Sequence, residues 1–389
     1  MKKRKEYLPF SLPTIGEREI VEVVDSLKSG WITTGPKVRR FEQNFAELKK
    51  VRHAIALNSC TAALHMGLHA LSLPEGSEVI TTVNTFAATA NVIVQTGCRP
   101  VLCDIEHDTM NLSIPDLKRK ITSRTRAVIP VHLAGHPIDL DPIRSLCDRH
   151  KLHLIQDAAH AVDSLYRDKL LEEYGDMVCY SFYATKAITT AEGGMLTTGQ
   201  DELAEKIRIN ALHGMSKDAW KRYQKGGSYA YDIVTPGFKY NLTDIQASLG
   251  LVQLSRMPEF LEARRTLANA YHNAFSDLSD FLEVPTERNY AFHAFHLYII
   301  RLKLDHLNCS RDQFIEHLSK LNIGTSVHFI PLHLHSYYKN TYNLKPEDFP
   351  VATSVFQSML SIPLYPKMDL EDVLYVAEAV RDGINKFKK

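Results

Sequence analysis

A single lysine stands among residues that could support carbonyl chemistry. Lys186 ends the segment Ser181-Phe182-Tyr183-Ala184-Thr185-Lys186, and the uncharged run 187–191 and the pair Gly193-Gly194 follow it. Most lysines are solvated surface charges. A lysine lodged among apolar residues has a lowered pKa and becomes a nucleophilic amine that can form a Schiff base. The spacing alone leaves both interpretations open.

An acid and an imidazole form a second candidate pair. The segment Gln156-Asp157-Ala158-Ala159-His160 follows a predicted strand. The two alanines leave room for a flat group, and an aspartate at a strand end can hold a ring nitrogen protonated. The alternative is that Asp157 caps a helix and His160 is a core residue. Spacing supplies no clear set of metal ligands, so no metal site is predicted.

A third segment, Asn58-Ser59-Cys60-Thr61-Ala62-Ala63-Leu64, lies where a predicted strand opens into a helix. Free backbone N–H groups and the positive end of the helix dipole favour a phosphate there. Ser and Thr at a helix start are also ordinary caps. Taken together, a phosphate site, an acid for a pyridinium nitrogen and a lysine for an aldehyde are what pyridoxal 5'-phosphate requires.

The elements that must position these segments form an α/β pattern. Short apolar runs alternate with amphipathic stretches between about residues 53 and 214, which predicts a mostly parallel sheet with helices on both faces. The predicted strands are 53–58, 78–83, 100–105, 127–133, 152–156 and 177–182, and the predicted helices are 61–71, 87–96, 139–150 and 202–212. In such sheets ligands bind beyond the carboxyl ends of the strands.

The middle of the chain contains a long irregular stretch. Residues 215–240 are rich in Gly, Tyr and Lys, and loops of that length are uncommon unless they are functional or pack on a partner. Thr243 is expected to cap a long helix over 244–278, which Pro258 should kink or break.

The pattern of predicted strands and helices changes after Pro285. A strand is predicted over 293–303 and helices over 310–321 and 370–386. We therefore expect a large domain, residues 1–255, that binds the cofactor and includes the N-terminal segment, and a smaller α+β domain over residues 256–389.

The composition of the chain argues against several classes of protein. The chain has 389 residues with 46 Lys+Arg against 45 Asp+Glu, a net charge of +1 that gives no support for a nucleic-acid partner. No run approaches the ~18–20 apolar residues of a membrane span, and the basic N-terminus is not followed by the apolar core of a signal peptide. The six cysteines form no CxxC pair, as in a cytoplasmic protein with reduced thiols.

The sequence resembles the DegT/StrS family of nucleotide-sugar aminotransferases over nearly its whole length. Within that family it is most similar to the spore-coat polysaccharide and the lipid A aminoarabinose-pathway aminotransferases. The similar segments, besides the three above, are Leu12-Pro13, Gly30-Trp31-Ile32-Thr33-Thr34-Gly35-Pro36, Pro130-Val131-His132, Glu192-Gly193-Gly194, Pro236-Gly237-Phe238-Lys239-Tyr240-Asn241-Leu242-Thr243-Asp244 and Ile323-Gly324-Thr325-Ser326-Val327-His328-Phe329.

The resemblance implies a fold, a cofactor and an assembly. The fold is the fold-type-I, aspartate-aminotransferase-like α/β architecture, a large domain with a mostly parallel mixed sheet plus a smaller α+β C-terminal domain. The cofactor is pyridoxal 5'-phosphate. The assembly is a homodimer whose two active sites lie at the subunit interface.

The resemblance also implies roles for residues at the ring of the cofactor. Lys186 holds the cofactor through a Schiff base and then shuttles protons, and Asp157 pairs with the pyridine nitrogen. Phe86 stacks on one face of the ring with Ala159 against the other, although many family members have a larger aromatic residue at the Phe86 position. His160 lies near the phenolic oxygen.

Other residues are assigned by the same resemblance to the phosphate and the substrates. Cys60, Thr61 and Ser181 bind the phosphate, the first two through backbone N–H groups, and Asn241 reaches it from the neighbouring subunit. Lys239 and His328 are weaker candidates for binding the donor carboxylate or a nucleotide diphosphate. The alternative is that both are ordinary polar surface residues.

The lysine itself selects a reaction within the family. Some members carry His at this position and act as sugar dehydratases, so Lys186 favours transamination. The segment 187–191 departs from the commoner Asn-rich version. The expected reaction moves an amino group from L-glutamate to a nucleotide-linked keto sugar, a UDP-4-keto sugar by subfamily likeness, for surface polysaccharide, lipopolysaccharide or other glycolipid biosynthesis. The alternatives are a pyridoxal-phosphate sugar dehydratase and a non-catalytic regulatory homologue.

Overall fold

The structure is a computed structural model that describes residues 3–216 and 231–389. The central part of the irregular stretch expected over 215–240 lies outside the described residues. The helices are α1 Glu17–Ser29, α2 Pro36–Leu48, α3 Cys60–Ala70, α4 Ala87–Gln95, α5 Ile114–Lys120, α6 Leu140–His150, α7 Asp201–Asn210, α8 Asp244–Ala274, α9 Arg311–Lys320, α10 Ser336–Tyr342, α11 Pro350–Ser358 and α12 Leu370–Phe387. The strands are β1 His53–Leu57, β2 Glu78–Thr82, β3 Arg99–Cys103, β4 Thr125–Ile129, β5 His153–Asp157, β6 Leu165–Tyr166, β7 Met177–Ser181, β8 Gly194–Thr198, β9 Leu282–Glu283, β10 Ala291–Phe292, β11 Tyr298–Leu302 and β12 Met359–Ile362.

A seven-stranded sheet forms the centre of the molecule. Its strand order is β1-β8-β7-β5-β4-β2-β3. The neighbours from β7 to β3 are parallel, whereas β8 pairs antiparallel with both β7 and β1. The expected mostly parallel mixed sheet is thereby confirmed. Two small antiparallel sheets, β10-β6 and β12-β11-β9, lie beside it.

Successive side chains of the central strands enter two different hydrophobic cores. In β2, Ile80 belongs to one core and Val79 to the other, and in β5 Leu154 and Ile155 divide in the same way. All five residues of β2 are buried. Because a parallel sheet is covered by helices on both faces, its strands are continuous apolar runs, and this is why the sequence marked them clearly.

Most predicted elements are present with ends shifted by one or two residues, but two predicted strands are shorter than expected and one strand of the central sheet was not predicted. The strand expected over 127–133 ends at Ile129 because Pro130 has no N–H to donate to a ladder. The strand expected over 293–303 is confined to Tyr298–Leu302. The short strand β8, residues Gly194–Thr198, was not predicted, since its first residue belongs to a glycine pair and glycine disfavours strands.

The long helix α8 does not break at Pro258. Thr243 caps it as expected, accepting a hydrogen bond from the Gln246 N–H in a capping box. Leu254 and Phe260, on either side of Pro258, both pack into the first core. This packing outweighs the backbone hydrogen bond that a proline cannot make.

Helix α8 also joins the two halves of the chain. Its side chains up to Phe260 belong to the core under the seven-stranded sheet, and those from Leu267 onward belong to a second core with β11 and α12. The helix therefore leaves the first core and enters the second between Phe260 and Leu267. The domain division at residue 255 stays a prediction.

Within residues 3–216 and 231–389 the fold contains neither a membrane-spanning helix nor a cluster of metal ligands. None of the helices in these ranges is both long and apolar enough to cross a membrane. No group of three or more His, Cys, Asp or Glu side chains in the same ranges could hold a metal ion.

Gly194 allows β8 to approach the start of α3 more closely than any side chain would permit. A Cβ on Gly194 would lie 2.4 Å from the carbonyl carbon of Ser59 and 2.5 Å from the nitrogen of Cys60. We therefore expect G194A to lower the free energy of unfolding by roughly 1–3 kcal/mol, as overpacking does. Urea unfolding of both proteins measures the difference.

Gly199, just beyond the same strand, provides the matched control. A Cβ there meets nothing within 4 Å, and its backbone is not left-handed. G199A should change the free energy of unfolding by less than about 1 kcal/mol, with stabilisation as the favoured direction. Equal stabilities of G194A and G199A would contradict the prediction.

Candidate active site

A cleft of about 460 Å³ opens at the carboxyl ends of the central strands. Residues from distant parts of the chain meet there. They come from the N-terminal segment, the starts of α3 and α4, the segments after β4, β5 and β7, and the second half of the chain. The sequence-predicted residues that line it are Cys60, Thr61, Phe86, Asp157, Ala159, His160, Ser181, Lys186 and His328. The three segments singled out in the sequence therefore share one cavity.

The start of α3 provides backbone donors at one end of the cleft. Ser59 is the N-cap, and its hydroxyl accepts a hydrogen bond of 3.0 Å from the Ala62 N–H. This leaves the N–H groups of Cys60 and Thr61 at the positive end of the helix without an intrahelical partner. Ser181, the last residue of β7, lines the same cleft. These groups fit a phosphate.

Asp157 is the last residue of β5 and is held by two hydrogen bonds. Its Oδ2 accepts from the Thr89 hydroxyl at 2.8 Å, and its Oδ1 accepts from the Ala159 N–H at 3.1 Å. The side chain is 5% exposed. Burial raises the pKa of Asp157, while the bonds from Thr89 and Ala159 oppose the rise. A buried carboxylate of this kind is stabilised by a cationic group facing it, such as a protonated ring nitrogen.

Lys186 lies in a closed turn between β7 and β8. The Phe182 N–H donates to the Gly193 carbonyl, and the Thr190 N–H donates back to the Phe182 carbonyl, both at 2.9 Å. Within the turn, the Lys186 N–H donates to the Tyr183 carbonyl at 2.9 Å. The backbone that carries the lysine is thus fixed by its own hydrogen bonds.

The Lys186 amine is tuned toward the neutral form. Burial lowers its pKa from the ordinary value to about 8, and the nearby Cys60 and Asp157 oppose the shift. A larger fraction of the amine is therefore unprotonated near neutral pH than for a surface lysine, so it is a better nucleophile.

Three imidazoles surround the lysine. His160, His296 and His328 line the cleft, and burial lowers the pKa of each, with the positive charge of Lys186 adding to the effect. His328 reaches a pKa of about 4. All three rings are therefore neutral at physiological pH and can donate or accept hydrogen bonds.

The orientation of His160 is set by the backbone. Its Nδ1 accepts a hydrogen bond of 3.2 Å from the Ala134 N–H. Ala134 adopts a positive φ of 58° in the turn after β4, and this turn directs the N–H toward His160. In the neutral ring the proton consequently lies on Nε2, which makes Nε2 a donor.

Aromatic rings and small side chains line the space where a flat ligand would lie. Phe86, just before α4, is 63% exposed, an unusual state for a phenylalanine, and its ring centroid lies 5.8 Å from that of Phe329. Phe329 also stacks against His160 with centroids 5.8 Å apart. Phe86 and Ala159 both border the cavity. The free ring of Phe86 is available for stacking.

Two predicted residues do not line the cleft of their own chain. The Asn241 amide donates to the Thr34 hydroxyl at 2.6 Å, and Lys239 is exposed. Their segment lies against the end of β1, since the Asn58 N–H donates to the Tyr240 carbonyl at 2.8 Å. The role of Asn241 in a neighbouring subunit and that of Lys239 stay predictions.

Several lining residues were missed in the sequence. Thr89 binds Asp157 from α4, and Phe10, His296 and Phe329 come from segments far away in the chain. Thr89 carries no distinguishing pattern, because an isolated threonine in a helix has many uses. His296 lies in the segment His293-Ala294-Phe295-His296, whose density of imidazoles was the one available signal.

The residues present fit pyridoxal phosphate. Backbone donors face one end of the cleft, a buried acid lies at the carboxyl end of β5, and an amine of lowered pKa lies close enough for Asp157 to affect its titration. A phosphate, a pyridine nitrogen and an aldehyde are the groups that match this set.

Comparisons with known proteins agree with this assignment. The family model of the DegT/DnrJ/EryC1/StrS aminotransferase family matches residues 13–381. The spore coat polysaccharide biosynthesis protein SpsC of Bacillus subtilis is 45% identical over 383 residues, covering 98% of each chain.

Solved structures are similar over almost the whole chain. Spr1654 of Streptococcus pneumoniae in its pyridoxal-phosphate form has a TM-score of 0.91 at 34% identity, covering 98% of this chain and 99% of that one. PseC of Helicobacter pylori, an aminotransferase involved in the biosynthesis of pseudoaminic acid, has a TM-score of 0.91 at 29% identity, covering 98% and 100%. The resemblance drawn from the motifs and the expected fold-type-I architecture are confirmed.

The lowered pKa of Lys186 predicts a pH dependence for loading of the apoprotein. The rate at which pyridoxal phosphate becomes fixable to the protein by borohydride should rise with pH, with a midpoint near pH 8, and level off about one pH unit higher, because only the neutral amine reacts. Stopped-flow absorbance across pH 6–10.5 follows the reaction. A midpoint near the ordinary lysine value of about 10.4 would contradict the prediction.

Asp157 supplies the control, because its charge raises the pKa of Lys186. D157N should therefore shift the midpoint to lower pH. K186R keeps the positive charge without a nucleophilic amine and should give no fixed cofactor at any pH.

Proposed function

Because the chain belongs to the DegT/DnrJ/EryC1/StrS aminotransferase family, we propose that it transfers an amino group from L-glutamate to a nucleotide-linked keto sugar, a UDP-4-keto sugar. The protein is an aminotransferase and its cofactor is pyridoxal phosphate. One observation carries the proposal: the Lys186 amine, the Asp157 carboxylate and the free N–H groups of α3 meet in one cleft. The product is an amino sugar.

The cofactor supplies the electronic part of the reaction. When bound, pyridoxal phosphate offers an aldehyde that condenses with amines and a ring that takes up the electrons released when a proton leaves the substrate carbon. Asp157 keeps a proton on the ring nitrogen, because a carboxylate buried at 5% exposure stabilises a cation beside it. Thr89 and Ala159 fix the direction of that carboxylate.

Lys186 moves the protons of both half-reactions. An amine with a pKa of about 8 can take a proton from the substrate carbon and return one without a large energetic penalty either way. In the first half the proton leaves the α-carbon of the donor. In the second half the amine returns a proton to the carbon of the acceptor that receives nitrogen. A ping-pong kinetic pattern follows.

The phosphate and the ring are held by groups on separate elements. The backbone N–H groups of Cys60 and Thr61, with the Ser181 hydroxyl, line the cleft and would bind the phosphate. Phe86 would stack on one face of the ring, and Ala159 would pack on the other, since both line the cleft. His160 would donate from Nε2 to the phenolic oxygen, since its Nδ1 is engaged by Ala134.

The residues that the structure describes around the cleft supply fewer cations than these substrates require. Lys186 is the only Lys or Arg among the cleft-lining residues of the described chain, whereas L-glutamate carries two carboxylates and a nucleotide-linked sugar carries a diphosphate. Charged acceptors of this kind are normally met by cationic donors. We therefore propose that a homodimer completes each site, with Asn241 of the neighbouring copy at the cofactor phosphate and Lys239 as a cation at the substrate anions, where the neutral His328 ring of the cleft adds a hydrogen bond.

The similar proteins support a place in polysaccharide synthesis. SpsC of Bacillus subtilis is named for spore coat polysaccharide biosynthesis, and PseC of Helicobacter pylori for the biosynthesis of pseudoaminic acid. We propose that this chain makes an amino sugar for a surface polysaccharide or glycolipid. The cytoplasm is the proposed location, because nucleotide sugars are made there.

The proposed reaction is tested by product analysis. Purified holoenzyme with ¹⁵N-labelled L-glutamate and a panel of 3-keto and 4-keto UDP- and dTDP-sugars should yield an amino sugar that carries ¹⁵N, read by mass spectrometry. K186A and K186R should lose turnover by at least about 10³-fold, because both lack the reacting amine. A product that has lost water instead would identify a sugar dehydratase, and wild-type turnover by K186A would overturn the mechanism.

The shared site is tested by mixing inactive variants. K186A and N241A chains, unfolded and refolded together in equal amounts, should regain about a quarter of the wild-type activity. Half of the dimers are then hybrids, and each hybrid holds one site with both residues intact. Activity is measured at limiting pyridoxal phosphate, where loss of an Asn–phosphate hydrogen bond is most visible.

A second mixture is the control for this experiment. Lys186 and Asp157 line the cleft of the same chain, so K186A mixed with D157N should regain no activity. Equal behaviour of the two mixtures would show that Asn241 does not act across the interface.

A further inference from the structure

An arginine is buried directly behind one wall of the cleft. Arg264 lies on α8 and is 2% exposed. Its Nη1 donates to the carbonyls of Leu364 at 2.9 Å and His296 at 3.1 Å, with a longer contact of 3.5 Å to Phe295. Leu364 and His296 both line the cleft. One guanidinium thus connects two distant segments at the points where they form the cavity wall.

The His296 segment, whose carbonyl Arg264 binds, packs against His160. The rings of His296 and His160 lie with centroids 4.4 Å apart and an interplanar angle of 41°. The next residue, Leu297, donates its N–H to the Ala134 carbonyl at 3.3 Å, and the Ala134 N–H is the group that engages His160 Nδ1. A movement of the His296 segment would therefore disturb His160 through both its ring and its hydrogen-bond partner.

Burial of this charge is unfavourable by itself. Desolvation lowers the pKa of Arg264 to about 10, and the negative charge of Asp163 opposes the change. The Nε of Arg264 is buried without a hydrogen-bond partner among the described residues. An apolar side chain of similar length would fill the same space without this cost. The carbonyls that the guanidinium engages are the contacts that an apolar replacement could not make.

We propose that Arg264 is a positioning residue for the aminotransferase site. By holding the carbonyls of His296 and Leu364, it keeps the His296 ring against His160 and so keeps the Nε2 donor of His160 directed at the phenolic oxygen of bound pyridoxal phosphate. The inference rests on the proposed function, because it assigns that oxygen to His160.

The absorption spectrum of the loaded protein gives a signature of this role. A hydrogen bond donated to the phenolic oxygen stabilises its ionised form and lowers the pH at which the visible band titrates. R264M should raise that midpoint by about one pH unit, equivalent to a tenfold loss of preference for the ionised form. It should also lower kcat for the half-reaction with L-glutamate about tenfold while KM changes little, since the donor itself is not contacted by Arg264.

Two further variants keep the test decisive if R264M folds poorly. R264K retains the charge with a single nitrogen, so the midpoint should shift by less than in R264M. H296L leaves Arg264 intact but removes the ring that packs on His160, and it should shift the midpoint in the same direction as R264M. Two other groups affect the titration of His160, namely Lys186 and His328, and both are unchanged in all of these proteins.

Arg381 offers a control with similar chemistry away from the cleft. It donates to the Ala274 carbonyl at 3.0 Å and pairs with Asp277 at 2.7 Å, at the protein surface. R381M should leave the midpoint and kcat unchanged. Thermal unfolding of every variant is measured in parallel, because a purely structural role would lower the melting temperature without moving the midpoint.

The outcomes separate this inference from the proposed function. If R264M and H296L lose thermal stability but titrate like the wild type, Arg264 has no positioning role and the inference is overturned. If both shift the midpoint upward and R381M does not, the inference is supported. If wild-type protein binds pyridoxal phosphate but L-glutamate does not change its spectrum, the proposed donor is wrong, whereas the midpoint comparison still decides the role of Arg264.

Discussion

Placing an amine and a carboxyl group together in a cleft that excludes much of the water is the constraint on which this structure depends. Burial lowers the pKa of Lys186 to about 8 and raises that of Asp157. Each shift measures how strongly the site disfavours an isolated charge. A cofactor with a cationic ring nitrogen and an aldehyde relieves both, because it gives the acid a partner and the amine a carbonyl. The same two groups that are costly in the unloaded protein are therefore the ones that bind and activate the cofactor.

The sheet places these groups through its strand directions. Parallel strands deliver their carboxyl ends to one edge, so the last residues of β5 and β7, Asp157 and Ser181, arrive together. The antiparallel strand β8 closes the turn that carries Lys186. Gly194 at its start lets that strand lie against the first turn of α3, where the phosphate donors are. Backbone packing, rather than side-chain contacts alone, thus sets the distance between the amine and the phosphate end of the cleft.

The second half of the chain completes the cavity from the other side. His296, His328 and Phe329 reach the cleft from segments more than one hundred residues after Lys186. The long helix α8 contributes its first turns to one core and its last turns to the other, and Arg264 on this helix holds the wall that bears His296. The cleft is well supplied with neutral imidazoles yet contains one lysine and no arginine among its described lining residues. For that reason the proposed reaction places further cationic groups in a second copy of the chain.

The sequence by itself determined the α/β class, most of the central strands and the three segments that meet in the cleft. It could do so because apolar periodicity and the chemistry of Lys186, Asp157 and the start of α3 are local properties. It did not reveal strand β8, the passage of α8 through Pro258, or the lining residues Thr89 and His296. Those depend on packing between distant segments: tertiary contacts outweigh the local preference of a proline, and a threonine acquires a role only when a carboxylate lies 2.8 Å from it. Only the tertiary structure decided which of the many polar side chains face the same cavity, because that choice is made by the folded backbone and not by any local pattern of residues.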